Sequence, residues 1–229
     1  MNSTRRLRKM HDTLFAAYGP QEWWPARTRF EVILGAYLTQ NTSWTSVELS
    51  LANLRKARAL SLAGIRHLTL ARLTELIRPS GFATRKAAAI RAFVQMIDRE
   101  YSGSLSKLAA TPATTLEARL LALPGVGPET AHAILLYALD HPTPVADEYL
   151  RRIVERHALL PNPLPKNRRT YDQLHALTRA AFAADPAQRH HRLFNEFHAL
   201  TVVVGKAHCG RTARCAGCPL AYDLENSCN

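Results

Sequence analysis

A tight turn between two apolar helical runs lies near the middle of this chain. Residues 120–139 read Leu-Leu-Ala-Leu-Pro-Gly-Val-Gly-Pro-Glu-Thr-Ala-His-Ala-Ile-Leu-Leu-Tyr-Ala-Leu. Pro128 suits a first helical position, and Ala131, Ile134, Leu135 and Ala138 then recur at helical spacing. The pattern is helix, hairpin, helix. Gly125 and Gly127 leave the turn free to take positive φ, and they put no side chain in the way of a phosphate approaching its backbone N–H groups. An ordinary helix–helix connection would share these features, so the turn alone does not assign a ligand. Asp147 follows one helix later, in Pro-Val-Ala-Asp.

The rest of the chain is patterned as helices. Residues 28–40 form an almost wholly apolar run that predicts a buried helix ending in a polar cluster, Thr-Gln-Asn-Thr-Ser. Further helices are predicted over residues 44–54, 59–65, 70–77, 84–101, 115–123, 149–157, 171–184 and 187–207, with almost no β alternation. The fold class is all-α. Of 229 residues 47% are hydrophobic, enough to bury a core in one large domain or two small ones. Thirty Lys and Arg against 18 Asp and Glu give a net charge of +12, which suits a polyanionic partner, nucleic acid above all. No apolar run reaches the length of a membrane span and the basic N-terminus lacks a signal peptide's hydrophobic core, so a cytoplasmic, nucleoid-associated protein is expected. Adjacent Trp23 and Trp24 cannot share a helix face; either one packs inside while the other lines a cleft, or both are anchors. Residues 149–157 carry four positive or potentially positive side chains, available to a nucleic-acid backbone or to solvent.

All four cysteines, Cys209, Cys215, Cys218 and Cys228, fall in the last 21 residues, in the spacing C-x5-C-x2-C-x9-C. Clustering around a central C-x2-C argues for metal ligation over disulfides.

Taken together, Leu123 to Ala131, Val145 to Asp147, Leu38-Thr-Gln-Asn-Thr42, Gly81-Phe82 with Lys86-Ala87, and the cysteine cluster resemble the helix-hairpin-helix DNA glycosylases of the endonuclease III superfamily. The resemblance spans residues 24–228. It implies a six-helix barrel lobe over residues 25–142, with the helix-hairpin-helix at about 116–139. Residues 1–24 and 143–229 would form a second, cluster-bearing lobe with its cysteine loop at 209–228, and a DNA cleft would lie between the two. It also implies double-stranded DNA as partner, a monomer, backbone contacts from Gly125, Val126, Gly127 and Thr130, Gln40 entering the gap left by an extruded nucleotide, and Phe82 as a wedge. Trp-Trp-Pro at residues 23–25 is similar to the 3-methyladenine subgroup, which makes Trp24 the expected face against the flipped base, with Lys206 a second candidate there. The cysteines would hold a [4Fe-4S] cluster, with a structural role; four-Cys zinc is the alternative, because the family pattern is C-x6-C-x2-C-x5-C.

Cleaving an N-glycosidic bond builds positive charge on the sugar, which a carboxylate stabilises. Asp147 is the expected catalytic group, and the same side chain suits a helix N-cap. In bifunctional members of the family a Lys stands two residues after the second hairpin glycine; here that residue is Glu129, which cannot form a Schiff base. The expected activity is monofunctional excision of an alkylated base. The alternatives are an endonuclease III-like glycosylase for oxidised or mismatched pyrimidines, and a non-catalytic DNA-binding module.

Overall fold

The computed structural model describes residues 2–24 and 26–225. Among them no strand forms; an isolated bridge joins Cys209 and Ala213, and the fold is all-α. The chain divides into two compact units, Trp24–His141 and Met1–Trp23 with Pro142–Asn229.

The first unit is built around α2 (Arg29–Leu38), in which every residue from Phe30 to Leu38 is buried. It is surrounded by α3 (Trp44–Lys56), α6 (Ala83–Tyr101), α9 (Pro128–Ala133) and the turn that extends α9. The shorter α4 (Leu62–His67), α5 (Leu70–Leu76), α7 (Leu105–Ala109) and α8 (Ala113–Leu121) complete it. Helix starts follow side-chain chemistry. Thr28, Ser43, Ser61, Thr69 and Ser104 each accept a hydrogen bond from the N–H three residues on, satisfying one of the donors a helix start leaves open. This explains a difference from the periodicity: the helix predicted at 59–65 begins at Leu62, behind the Ser61 cap, and Arg58 takes a left-handed φ of 53° just before it. A second difference lies in the hairpin helix. From Ile134 to Ala138 the backbone widens into a π-helical turn, with Leu139 N–H donating to Ile134 O at 3.1 Å. A continuous apolar run looks the same in either register.

In the second unit, α1 (Ser3–Tyr18) is capped by Asn2 and stopped by Gly19 at φ 68°. It packs on α11 (Arg168–Ala181) and α12 (His190–Ala207), burying Leu7, Met10 and Leu14 with Phe182 and Phe197. The helix expected at 187–207 is divided, with a 3-10 turn over Ala187–Arg189 preceding α12. A short α13 (Ala221–Glu225) follows the cysteine loop. No helix among the described residues is long and apolar enough to cross a membrane.

α10 (Glu148–Arg156) packs against α12 at Gly205. A Cβ there would lie 2.2 Å from Tyr149 Cδ1 and 2.6 Å from its Cγ, so the ring occupies the space that glycine leaves. Gly205→Ala is expected to destabilise the protein by about 1–3 kcal/mol through overpacking, more than the roughly 1 kcal/mol by which alanine favours a helix interior. Urea unfolding measures the difference, and a midpoint at or above wild type would show that Tyr149 moves aside freely.

Candidate functional site

The hairpin joins α8 to α9 through a turn in which Val126 N–H donates to Leu123 O at 3.3 Å. Gly125 has φ 75°, the left-handed region, and a Cβ on it would sit 3.4 Å from Ala89 Cβ on α6. Gly127 does not share that need, since its φ is −97° and it serves as the N-cap of α9; a Cβ there would meet nothing within 4 Å. Of the two glycines expected to use positive φ, only Gly125 does, and Gly127 instead leaves the helix start open to solvent. Val126 is buried and anchors the turn between two exposed glycines. The first N–H groups of a helix lack intrahelical acceptors, so the start of α9 offers donors to an anion. Glu129 is exposed in the first turn of α9, where the helix dipole favours a carboxylate.

Gln40 follows α2 and reaches the hairpin. Its Nε2 donates to Gly125 O at 3.0 Å and to Thr130 Oγ1 at 2.9 Å. Phe82, at the N-cap of α6, takes the left-handed conformation (φ 47°, ψ 32°) and is 62% exposed. A bulky residue in that conformation with its ring in solvent contributes little to the core, as an apolar probe of another molecule would.

Trp24 is half-buried in the same unit. Its ring meets Trp44 edge-on at 5.4 Å between centroids and Tyr137 at 5.2 Å, and Gly35 on α2 provides the space it lies in, a Cβ there being 3.1 Å from Trp24 Cζ2. The sequence reading singled out Trp24 but not Trp44 or Tyr137, which are far from it along the chain. Trp23 belongs to the other unit and stacks on His198 of α12, with centroids 5.4 Å apart.

Asp147 ends a buried extended segment and caps α10. Its Oδ1 accepts from Leu150 N–H at 2.8 Å, and its Oδ2 stands 3.7 Å from His198 Nε2. The carboxylate is therefore fixed in orientation and shielded from bulk water, with the residue 8% exposed. Glu148 next to it is already engaged by Arg151, Arg152 and Lys166. Burial pushes its carboxyl up, but the hydrogen bonds from Arg151 and Lys166 outweigh that and leave it below the ordinary range.

The positive side chains of α10, which the sequence left open to a nucleic-acid backbone or to solvent, are committed within the protein. Arg151 bonds Glu148, Glu155 and Leu164 O; Arg152 donates to Cys209 O at 2.9 Å and covers the Tyr149 ring; Arg156 donates to Gly210 O and Arg211 O. His157 meets Asp223, which also takes Arg6. This face of α10 holds the cysteine loop. Lys206 is exposed in the last turn of α12.

Cys209, Cys215 and Cys218 border one small cavity with Arg156, His157 and Leu220. Arg156 Nη1 donates to Cys209 Sγ at 3.0 Å. Burial, with Cys215 and Cys209 beside it, pushes the Cys218 thiol up. Three thiols bordering one cavity are the donor chemistry that a thiolate-held metal or cluster uses. Among the described residues, no group of three or more His, Cys, Asp or Glu is close enough to ligate a metal ion; Cys228 lies outside the described residues.

Residues 34–179 match the family model of the HhH-GPD superfamily base excision DNA repair proteins. The chain belongs to that superfamily. A candidate DNA repair glycosylase of Methanocaldococcus jannaschii is 39% identical over 191 residues, 77% of this chain and 86% of the relative. Endonuclease III homolog 2 of Arabidopsis thaliana is 30% identical over 145 residues, covering 63% of this chain and 36% of that longer protein. Among solved structures, the H. pylori 3-methyladenine DNA glycosylase MagIII bound to 1,N6-ethenoadenine superposes with a TM-score of 0.74 at 27% identity, over 90% of this chain and 98% of that one. This member of the HhH-GPD superfamily is thus a base excision repair glycosylase by family, with the hairpin, Gln40, Phe82 and Trp24 in one unit and Asp147, Lys206 and the cysteines in the other.

The capping role of Asp147 can be separated from any chemical one. Asn caps as well as Asp, so Asp147→Asn is expected to keep stability while Asp147→Ala loses about 1 kcal/mol. Urea unfolding of the two variants compares them, and equal losses would show that the cap contributes nothing.

Proposed function

We propose that this chain is a monofunctional DNA glycosylase that flips out an alkylated purine of the 3-methyladenine type and releases it by hydrolysis. The observation that carries the reading is the aromatic group of Trp24, Trp44 and Tyr137. Alkylation at N3 of adenine leaves the base cationic and weakens its glycosidic bond, so the enzyme has chiefly to extrude and hold it. An indole face near such a cation gains on the order of 0.5–2 kcal/mol. The likeness to the H. pylori enzyme supports the same reading.

In this mechanism the hairpin N–H groups and Thr130 hold the backbone, Gln40 fills the space the nucleotide vacates, Phe82 separates the facing bases, and Trp24 receives the base. Asp147 stabilises the positive charge that develops on the sugar and orients the attacking water. Its anchored Oδ1 keeps the carboxylate from reorienting as that charge develops. Glu129 supplies no amine, so the strand is left intact at an abasic site. Cys209, Cys215, Cys218 and Cys228 would hold a [4Fe-4S] cluster, which when bound serves as a structural cross-link of the loop that α10 grips.

The resemblance to the Arabidopsis endonuclease III homolog favours a second reading, excision of oxidised pyrimidines. Release of 3-methyladenine and of thymine glycol from defined duplexes separates the two. Asp147→Asn is expected to lose at least about 100-fold in base release with lesion-DNA affinity little changed, because its charge acts in the transition state. Trp24→Ala should lose more on 3-methyladenine than on a neutral lesion, and borohydride should trap no covalent adduct. Robust thymine glycol release with none of 3-methyladenine would establish the second reading.

Anaerobically purified protein is expected to be brown and to contain iron, with Cys218→Ser losing both colour and thermal stability. Stoichiometric zinc without iron would replace the cluster by a four-cysteine zinc site.

A further inference from the structure

A buried cation outside the reaction chemistry joins the two segments assigned to probing DNA. Lys86, on the first turns of α6, is 4% exposed, and no carboxylate accepts its hydrogen bonds. Its Nζ donates to Leu38 O at 2.8 Å and to Ser80 O at 2.7 Å. Leu38 is the last residue of α2, so the ammonium sits at the negative end of that helix, where a buried positive charge finds compensation. Ser80 ends a 3-10 turn (Arg78–Ser80) and is itself fully buried. Its hydroxyl pairs with Ser50 Oγ of α3 at 2.7 Å and reaches Ser46 O at 3.3 Å. Burial lowers the Lys86 pKa, as it must for an ammonium removed from water, while the two short bonds to carbonyl oxygens favour the charged form.

What lies on either side of this node gives it meaning. Two residues beyond Leu38 is Gln40, held on the hairpin; two residues beyond Ser80 is Phe82, exposed and left-handed. The carbonyls that Lys86 grips are thus each two residues from a side chain that would enter the duplex, one from each segment. We propose that Lys86 is a positioning residue that fixes the carrier segments of Gln40 and Phe82 to each other, so that the two enter DNA as one rigid element. The proposal rests on the reading of these two residues as duplex probes.

The test uses the full chain and a duplex carrying 2-aminopurine beside a tetrahydrofuran abasic-site analogue, whose fluorescence reports unstacking without any excision. Wild type is expected to raise the fluorescence at saturation. Lys86→Met is expected to bind within threefold of the wild-type Kd yet to give a rise at least threefold smaller, a split that a mere loss of folded protein would not produce. A folded Lys86→Met with the full wild-type rise overturns the proposal. Where circular dichroism shows that this variant does not fold, Ser50→Ala, which removes the shorter of the two bonds tying the Ser80 hydroxyl to α3 and leaves the ammonium in place, is expected to reduce the rise as well, and an undiminished rise overturns the proposal. A wild-type protein that binds without unstacking removes the duplex-probe reading and this proposal with it; one that unstacks the base but releases no 3-methyladenine removes only the substrate assignment.

Discussion

A helix whose length is buried on every side depends on its two ends to compensate the backbone groups left open there. α2 does this with charges of opposite sign. At its start, Glu31 is buried within the first turn and pairs with Arg55 at 2.5 Å, while Thr28 caps the same N–H groups; at its end, Lys86 donates to Leu38 O. Both charges lie where the helix dipole favours them, which offsets part of the cost of their burial. The candidate site of that unit depends on this arrangement. Gly35 opens the place for Trp24, and the chain leaves the far end of α2 directly into Gln40. A helix free to tilt or fray would loosen both.

The other unit spends its charges differently. Its helix α10 turns Arg151, Arg152 and Arg156 toward carboxylates, carbonyls and a thiol of the same unit. A formal charge of +12 therefore overstates how much positive surface α10 offers a polyanion. The same commitment links the catalytic candidate to the cysteine loop, because Asp147 caps the helix whose side chains grip that loop. Disturbing the loop would be felt at the cap through one rigid helix of nine residues.

Much of this fold was legible from local chemistry alone. Asp147 was legible as the N-cap of α10, whereas Asn167 was not read as a cap, and the helix predicted from residue 171 begins at Arg168 behind it. Apolar periodicity established the helices and the near-total burial of α2. It could not establish what depends on residues meeting across the fold. Trp24, Trp44 and Tyr137 come together over more than a hundred residues of chain, Gln40 bonds a hairpin 85 residues away, and Arg152 and Arg156 find partners more than 50 residues on. Nor does periodicity distinguish an exposed arginine from one donating inward, because both occupy the polar face of an amphipathic helix. The π-turn was hidden for a related reason, since every position in it is compatible with an ordinary helix.

That turn bears on how the ring cluster of Trp24, Trp44 and Tyr137 can diversify. A π-helical turn behaves as an α-helix with one extra residue, and removing a residue would return the run to regular register. The segments on either side would keep their faces, because the wide turn absorbs only the extra residue. Tyr137 sits inside the turn, half-buried between fully buried neighbours and against Trp24. The loss of one codon there would therefore change how Tyr137 sits against the tryptophan while the hairpin, which lies upstream, kept its geometry. The ring contact of Tyr137 and the geometry of the hairpin are thus separable by a single step in the gene.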